Sequence, residues 1–256
     1  MTTLLAATLA TLVFCAPGYP GGAGDAQPLV SDFATAVAAA AGWPAGSLAA
    51  VYDPTEEGGV KRLNSEDAVL AFVPYPFYFA HAAQLHLTAL VQADVTDIGV
   101  QQRWTLVAKA GRITSPKSLA GYTLLSTAGY APDFVRQSAL GNLALPVDVK
   151  IEPTGQILSA LRRASAGEPV AVLLDQAQAA ALPSLPFAGD LTTVAQSPEL
   201  PVAIIVVVNS RLAAGRARAL QAALLKMGHA TGSGEAMEPL RLRGFVLPKL
   251  PTHNAR

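Results

Sequence analysis

The sequence predicts an α/β protein of two similarly built lobes, each a mainly parallel sheet flanked by helices. A strand-then-loop signature occurs twice, as Thr11-Leu-Val-Phe-Cys-Ala-Pro-Gly18-Tyr19-Pro20 and as Thr123-Leu-Leu-Ser-Thr-Ala-Gly129-Tyr130-Ala-Pro132, and each copy runs into a helix-like segment. Around the two copies, apolar runs of strand length alternate with helical segments, the pattern of parallel strands joined by crossovers. With 256 residues, 51% of them hydrophobic, the chain suffices for two ordinary domains with a sizeable core.

The elements follow in order. A strand at 11–16 precedes a helix near 28–41 and a strand at 48–52. A helical segment near 58–63 leads to the apolar run 68–73, then to the aromatic segment 75–79 that opens a short helix, and to a strand at 85–93. A strand at 104–109 is followed by Ala110-Gly111-Arg112 and the passage 115–121, where the chain changes lobe. The second copy gives a strand at 122–126, a helix from 132, a strand at 147–152, a helix at 156–166, a strand at 170–174, a helix at 176–181 and a strand at 191–196. After Ser197-Pro198-Glu199-Leu200-Pro201 the β-branched run 202–208 makes the second crossing. A helix over 212–227, capped by Asn209 or Ser210, then packs on the first lobe. The expected division is 11–106 plus 204–256 for lobe one and 107–203 for lobe two, with 1–10 read as a signal remnant. Two extended crossings would form a hinge.

Composition narrows the function classes. Lys plus Arg and Asp plus Glu number 18 each, so the formal net charge is zero and no basic footprint for nucleic acid or an anionic membrane surface exists. The single cysteine, Cys15, excludes an internal disulfide and a cysteine metal cluster, and its apolar surroundings read as a buried structural thiol. His81, His86, His229 and His253 show no zinc-ligand spacing. No nucleophile elbow, Walker loop or dinucleotide fingerprint is present, and the glycine-rich 18–24 stretch lacks the Lys-Ser/Thr end of a phosphate loop. It reads as a mobile lip. No cofactor and no metal are expected, and neither is a transmembrane span, since 202–208 is too short. Residues 1–15 resemble an apolar leader, with Thr8-Leu9-Ala10 as its cleavage point, yet the first basic side chain is Lys61. A periplasmic or exported location and a cytoplasmic one both stay open.

The passage Ile113-Thr-Ser-Pro-Lys-Ser-Leu-Ala-Gly-Tyr-Thr-Leu-Leu-Ser-Thr-Ala-Gly129 resembles the one that opens the second lobe of bacterial solute-binding proteins. Val73-Pro-Tyr-Pro-Phe-Tyr78 and Ala-Gly-Glu-Pro-Val-Ala-Val-Leu-Leu-Asp175 are similar too. The resemblance runs from Thr11 to Leu212 and is to type II periplasmic binding proteins, in particular the phosphate, phosphonate and sulfonate-binding components of ABC importers. It implies a small anionic or polar solute held in a cleft between the lobes, an ABC permease as partner, and a monomer.

Individual residues offer the matching chemistry. Ser126 and Thr127 end a strand where hydroxyls and backbone N–H groups can converge on an anion; capping the following helix is the other reading. Tyr19 and Tyr130 hold equivalent loop positions in the two lobes, so one hydroxyl from each side is expected to bond a solute or close over it; packing of each on its own lobe is the other reading. Tyr75 and Phe77 resemble aromatic residues lining the family's cleft, Tyr75 being the better candidate. Asp175 ends an apolar strand, where its carboxylate either meets a solute donor or caps the helix that starts at Gln176. Gly155, after Thr154, resembles a family turn near the ligand. No arginine falls in these loops, which weakens the case for a fully charged phosphate or sulfonate. A second class of function uses the same scaffold, a small-molecule lyase or dehydratase with Asp175 or His86 as acid or base.

Overall fold

Uninterrupted apolar runs become strands covered on both faces, as β1 (Ala10–Cys15) shows with all but its first residue buried. The structure is a computed structural model that describes residues 9–19, 22–228 and 234–251. In chain order β1 is followed by α1 (Ala23–Ala40), β2 (Leu48–Asp53), α2 (Glu56–Leu63), β3 (Ala68–Pro74), α3 (Tyr75–His81) and β4 (Leu87–Val95). Next come β5 (Gln101–Gln102), β6 (Thr105–Lys109), β7 (Thr123–Ser126), α4 (Pro132–Phe134), β8 (Lys150–Pro153), α5 (Ile157–Ser165), β9 (Val170–Leu174), α6 (Gln176–Ala181), β10 (Leu191–Gln196) and β11 (Leu200–Pro201). The chain ends with β12 (Ala203–Val208), α7 (Ala214–Met227), α8 (Gly234–Met237) and β13 (Leu242–Val246).

Two compact units emerge. Among the described residues, unit 1 is drawn from 9–16, 22–100, 202–228 and 234–249, and unit 2 from 17–19, 101–201 and 250–251. The sheet of unit 1 has the order β13-β4-β12-β3-β1-β2, in which β2, β1 and β3 run parallel and β12 lies antiparallel between β3 and β4. In unit 2 the order is β10-β6-β9-β7-β8; β8, β7 and β9 run parallel, and β6 lies antiparallel between β9 and β10. One plan is therefore used twice. The two copies of the sequence signature are β1 and β7, the middle strands of equivalent parallel triplets. Among the described residues β5 and β11 form a further antiparallel pair in unit 2.

Each unit has its own core. In unit 1 Phe14 meets Phe33 and Phe72 edge-on, with ring centroids 5.6 Å and 5.2 Å apart, and α1 and α7 add Val30, Val37, Leu220 and Leu224. In unit 2 α5 lays Ala160, Leu161 and Ala164 against Val107, Val172 and Leu174.

Some expected elements differ from the structure. Helix α1 starts at Ala23, ahead of Pro28, although the proline lacks an N–H for the helix. The early turn is held by Gln27, which donates to the Ala50 carbonyl at 2.8 Å and accepts from Tyr52 N at 3.0 Å, so β2 anchors the helix start. Gly24 is thus helical, while Pro20 and Gly21 of the expected lip lie outside the described residues. The aromatic segment is itself helix α3. Helix α7 begins at Ala214 with Ala213 at its cap and no side-chain cap, because Ser210 takes a left-handed turn (φ 70°) that delays the helix past Asn209 and Ser210. Of the expected leader, residues 1–8 lie outside the described residues, and Ala10 pairs with Leu48 as the first residue of β1.

Candidate functional site

The carboxyl ends of β8, β7 and β9 form one rim of unit 2. Because β7 sends the chain to β8 on one side while β9 lies on the other, the ends of β7 and β9 flank a switch point, where open α/β sheets bind ligands. Ser126 ends β7, in register with Pro153 and Leu173. It is fully buried; its hydroxyl donates to the Leu173 carbonyl at 2.8 Å and accepts from Ala128 N at 3.2 Å. Its carbonyl accepts from Gly129 N at 3.1 Å and Thr154 N at 2.9 Å. The one hydrogen of the Ser126 hydroxyl is therefore committed inside the protein, and this side chain ties β7 to β9 and shapes the loop.

Two glycines let backbone close on backbone here. A Cβ on Gly129 would stand 2.2 Å from the Glu152 carbonyl oxygen, so only glycine lets the loop after β7 lie on the end of β8. Gly18 has φ +80°, and a Cβ there would stand 2.6 Å from the Thr127 carbonyl oxygen. This approach explains why 17–19 groups with unit 2 although it follows β1. Tyr19 and Tyr130 are thus both unit 2 residues, a correction to the expectation that each lobe supplies one.

The remaining side chains of the rim differ in their freedom. Thr127 is buried, and its Oγ1 has no hydrogen-bond partner among the described residues. Tyr19 neighbours Asp175; desolvation, and after it the Asp175 charge, raise its phenol above the ordinary value, the first moderated by the 37% of the residue that stays accessible. Asp175 is buried and caps α6: its Oδ1 accepts from Gln178 N at 2.8 Å, and Gln178 Oε1 accepts from Asp175 N at 3.1 Å. Burial pushes its carboxyl above the usual range, against hydrogen bonds from the N–H groups of Gln178 and Ala177. Capping is thus an observed role of Asp175. Arg136 donates to the carbonyls of Pro146 and Val149 at 3.1 and 2.7 Å, so its charge serves the loop before β8.

Tyr75 belongs to unit 1. Its ring is buried, stacked on Tyr78 at 6.4 Å and edge-on to Phe79, and burial followed by Tyr78 pushes its phenol up to about 12. His86, also in unit 1, is exposed in a left-handed turn (φ 51°). Cys15 is buried under Gly59 and donates to the Thr55 carbonyl at 3.4 Å; burial, then the charges of Asp53 and Glu56, push its thiol up, which makes it inert. Gly155, by contrast, belongs to the unit 2 rim, where a Cβ would lie 3.6 Å from the Gly18 carbonyl oxygen.

Among the described residues, no group of three or more His, Cys, Asp or Glu could hold a metal ion, and no helix is long and apolar enough to cross a membrane. A cavity of about 660 Å³ lies in unit 1, lined by Thr88, Leu90, Val207, Leu212 and Ala217. It sits at the amino end of β4 and so at the opposite edge of that sheet from the carboxyl ends of β1, β2 and β3.

No family model matches the sequence, and no curated protein matches it. Solved structures do. A binding-protein component of an ABC phosphonate transporter from Pseudomonas aeruginosa superposes with a TM-score of 0.63 at 13% identity, over 94% of this chain and 82% of that one. The chain has the type II periplasmic-binding-protein fold. PhnD1 of Prochlorococcus marinus, solved with methylphosphonate, gives a TM-score of 0.62 at 12% identity over 94% and 93% of the two chains. A Xanthomonas citri protein bound to ATP gives 0.68 at 15% identity over 96% and 92%. Proteins of this fold thus hold ligands of different size, and this rim must speak for itself. It offers a buried hydroxyl, two phenols and a capped carboxylate, groups that hydrogen-bond. Gly18 is part of the strand–Gly-Tyr signature, but its approach to Thr127 depends on a neighbour that only the fold supplies.

Proposed function

We propose that this protein is the solute-binding component of an ABC-type importer and that it takes a small oxyanion such as phosphate or a phosphonate. The reading rests on one observation above the rest: Thr127 presents a buried hydroxyl with no partner among the described residues, at the switch point between β7 and β9. The Thr127 hydroxyl is the anion-holding group, with Ser126 as the residue that positions the loop. Tyr19 and Tyr130 supply further donors, and Asp175 accepts from a protonated solute oxygen or an amine. Hydroxyls and backbone amides can hold an oxyanion without a cation. An exported location and a permease partner follow from this role.

A thermal-shift series with phosphate, methylphosphonate, sulfate, amino acids and small carboxylates tests it. A solute at 100 times its Kd stabilises the native state by about 2.7 kcal/mol, which for a chain of this size raises Tm by roughly 5–10 °C. A shift confined to one oxyanion class supports the reading. Shifts only with amino acids or carboxylates, or none, would count against it.

A further inference from the structure

We infer that the Trp104 indole N–H is a solute-directed hydrogen-bond donor of the unit 2 rim, an inference that rests on the reading of this rim as a solute site. Trp104 stands one residue before β6, whose first residue Thr105 pairs with Leu174, the last of β9. Antiparallel register therefore sets Trp104 level with Asp175. Ser197 fixes its backbone twice: Trp104 N donates to Ser197 Oγ at 2.8 Å, and Ser197 N donates to the Trp104 carbonyl at 2.8 Å. The indole packs edge-on against Phe134 of α4, centroids 5.6 Å apart at 72°. Helix α4 is where the loop after β7 ends, so the ring packs on the element that this loop enters, while its backbone stands level with the end of β9.

Within this packing the residue is 1% exposed, and its Nε1 has no hydrogen-bond partner among the described residues. A buried indole N–H normally finds a partner, and one left without costs about 1–3 kcal/mol. Thr127 Oγ1 likewise has no hydrogen-bond partner among the described residues. One orphan belongs to the β7 side of the switch point and the other to the β9 side, which is the pattern of a site whose partner is a ligand. Chemistry narrows what that ligand presents. An indole N–H can only donate, so Trp104 meets an acceptor oxygen and selects the oxyanion end of a solute over an ammonium group.

The chain has two tryptophans, and Trp43 lies in unit 1 under the Arg216 guanidinium, 4.4 Å from its ring. In Trp43→Phe protein the single indole resonance of a ¹H–¹⁵N spectrum is therefore that of Trp104. It is followed during titration with phosphate, methylphosphonate, sulfate, glutamate and arginine, and binding is measured in parallel by calorimetry. The expected result is a downfield shift of the indole proton that saturates with the calorimetric curve, together with about a 10-fold or greater loss of affinity in Trp104→Phe, the scale of one hydrogen bond to a charged group. A solute that binds while the indole resonance stays put and Trp104→Phe keeps wild-type affinity overturns this inference and leaves the rim as the solute site. Failure of every solute to bind Trp43→Phe and wild-type protein overturns the rim reading, and this inference with it.

Discussion

Thr127→Val separates a ligand-directed hydroxyl from a structural one, because the two roles predict opposite changes in stability. Valine keeps the shape of threonine and removes only the buried Oγ1, which has no partner among the described residues. An orphaned buried polar group costs about 1–3 kcal/mol; removing it in solute-free protein returns a like amount. At about 2–4 °C per kcal/mol for a chain of this size, Tm rises by a few degrees. In the complex the same hydroxyl bonds a charged oxygen, an interaction of about 1.5–3 kcal/mol, so affinity falls by about 10-fold to 150-fold. Differential scanning calorimetry on dialysed protein gives the first quantity and titration calorimetry with methylphosphonate the second. A variant that melts several degrees lower, or one that binds methylphosphonate as tightly as wild type, would refute the reasoning.

Other expected outcomes follow from the same rim. Ser126→Ala leaves the Leu173 carbonyl and Ala128 N–H without their partner, so it lowers stability by about 1–3 kcal/mol; chemical denaturation measures this against Thr127→Val. Gly18→Ala combines a left-handed backbone with a Cβ 2.6 Å from the Thr127 carbonyl oxygen, a strain of at least about 1–3 kcal/mol, and displaces the 17–19 segment; proteolysis of that segment should quicken. Asp175 has a folded-state pKa raised above 3.8, so the native state binds more protons than the unfolded state between the two values. Its ionisation cost is fully present above the raised pKa and vanishes below about 3.8. The Tm advantage of Asp175→Asn, which keeps a capping side chain, therefore shrinks as pH falls from 7 towards 4; an advantage that grows on acidification would contradict the sign.

Local pattern was enough for the fold because each element's identity is written in adjacent residues. The twofold strand–Gly-Tyr signature marked β1 and β7, and the β-branched run before Asn209 marked β12. What a neighbouring element decides was not legible. Gln27 reaches β2 and draws α1 back past Pro28. Ser126 reaches across to Leu173, so a hydroxyl that looked available for a solute is occupied. Thr127 was legible as a candidate from its place at a strand end, but the absence of a partner for its hydroxyl is a property of packing. Trp104 became a candidate only through register, which set it level with Asp175.

The central claim, that the switch-point rim of unit 2 holds a small oxyanion, is tested most directly by mapping backbone amide shifts during titration with methylphosphonate. The account predicts saturable shifts at 127–131, 154–156 and 175–178, with the largest at Thr127. Shifts centred instead on the unit 1 cavity at Thr88, Leu90 and Val207, or no saturable shift at all, would contradict it.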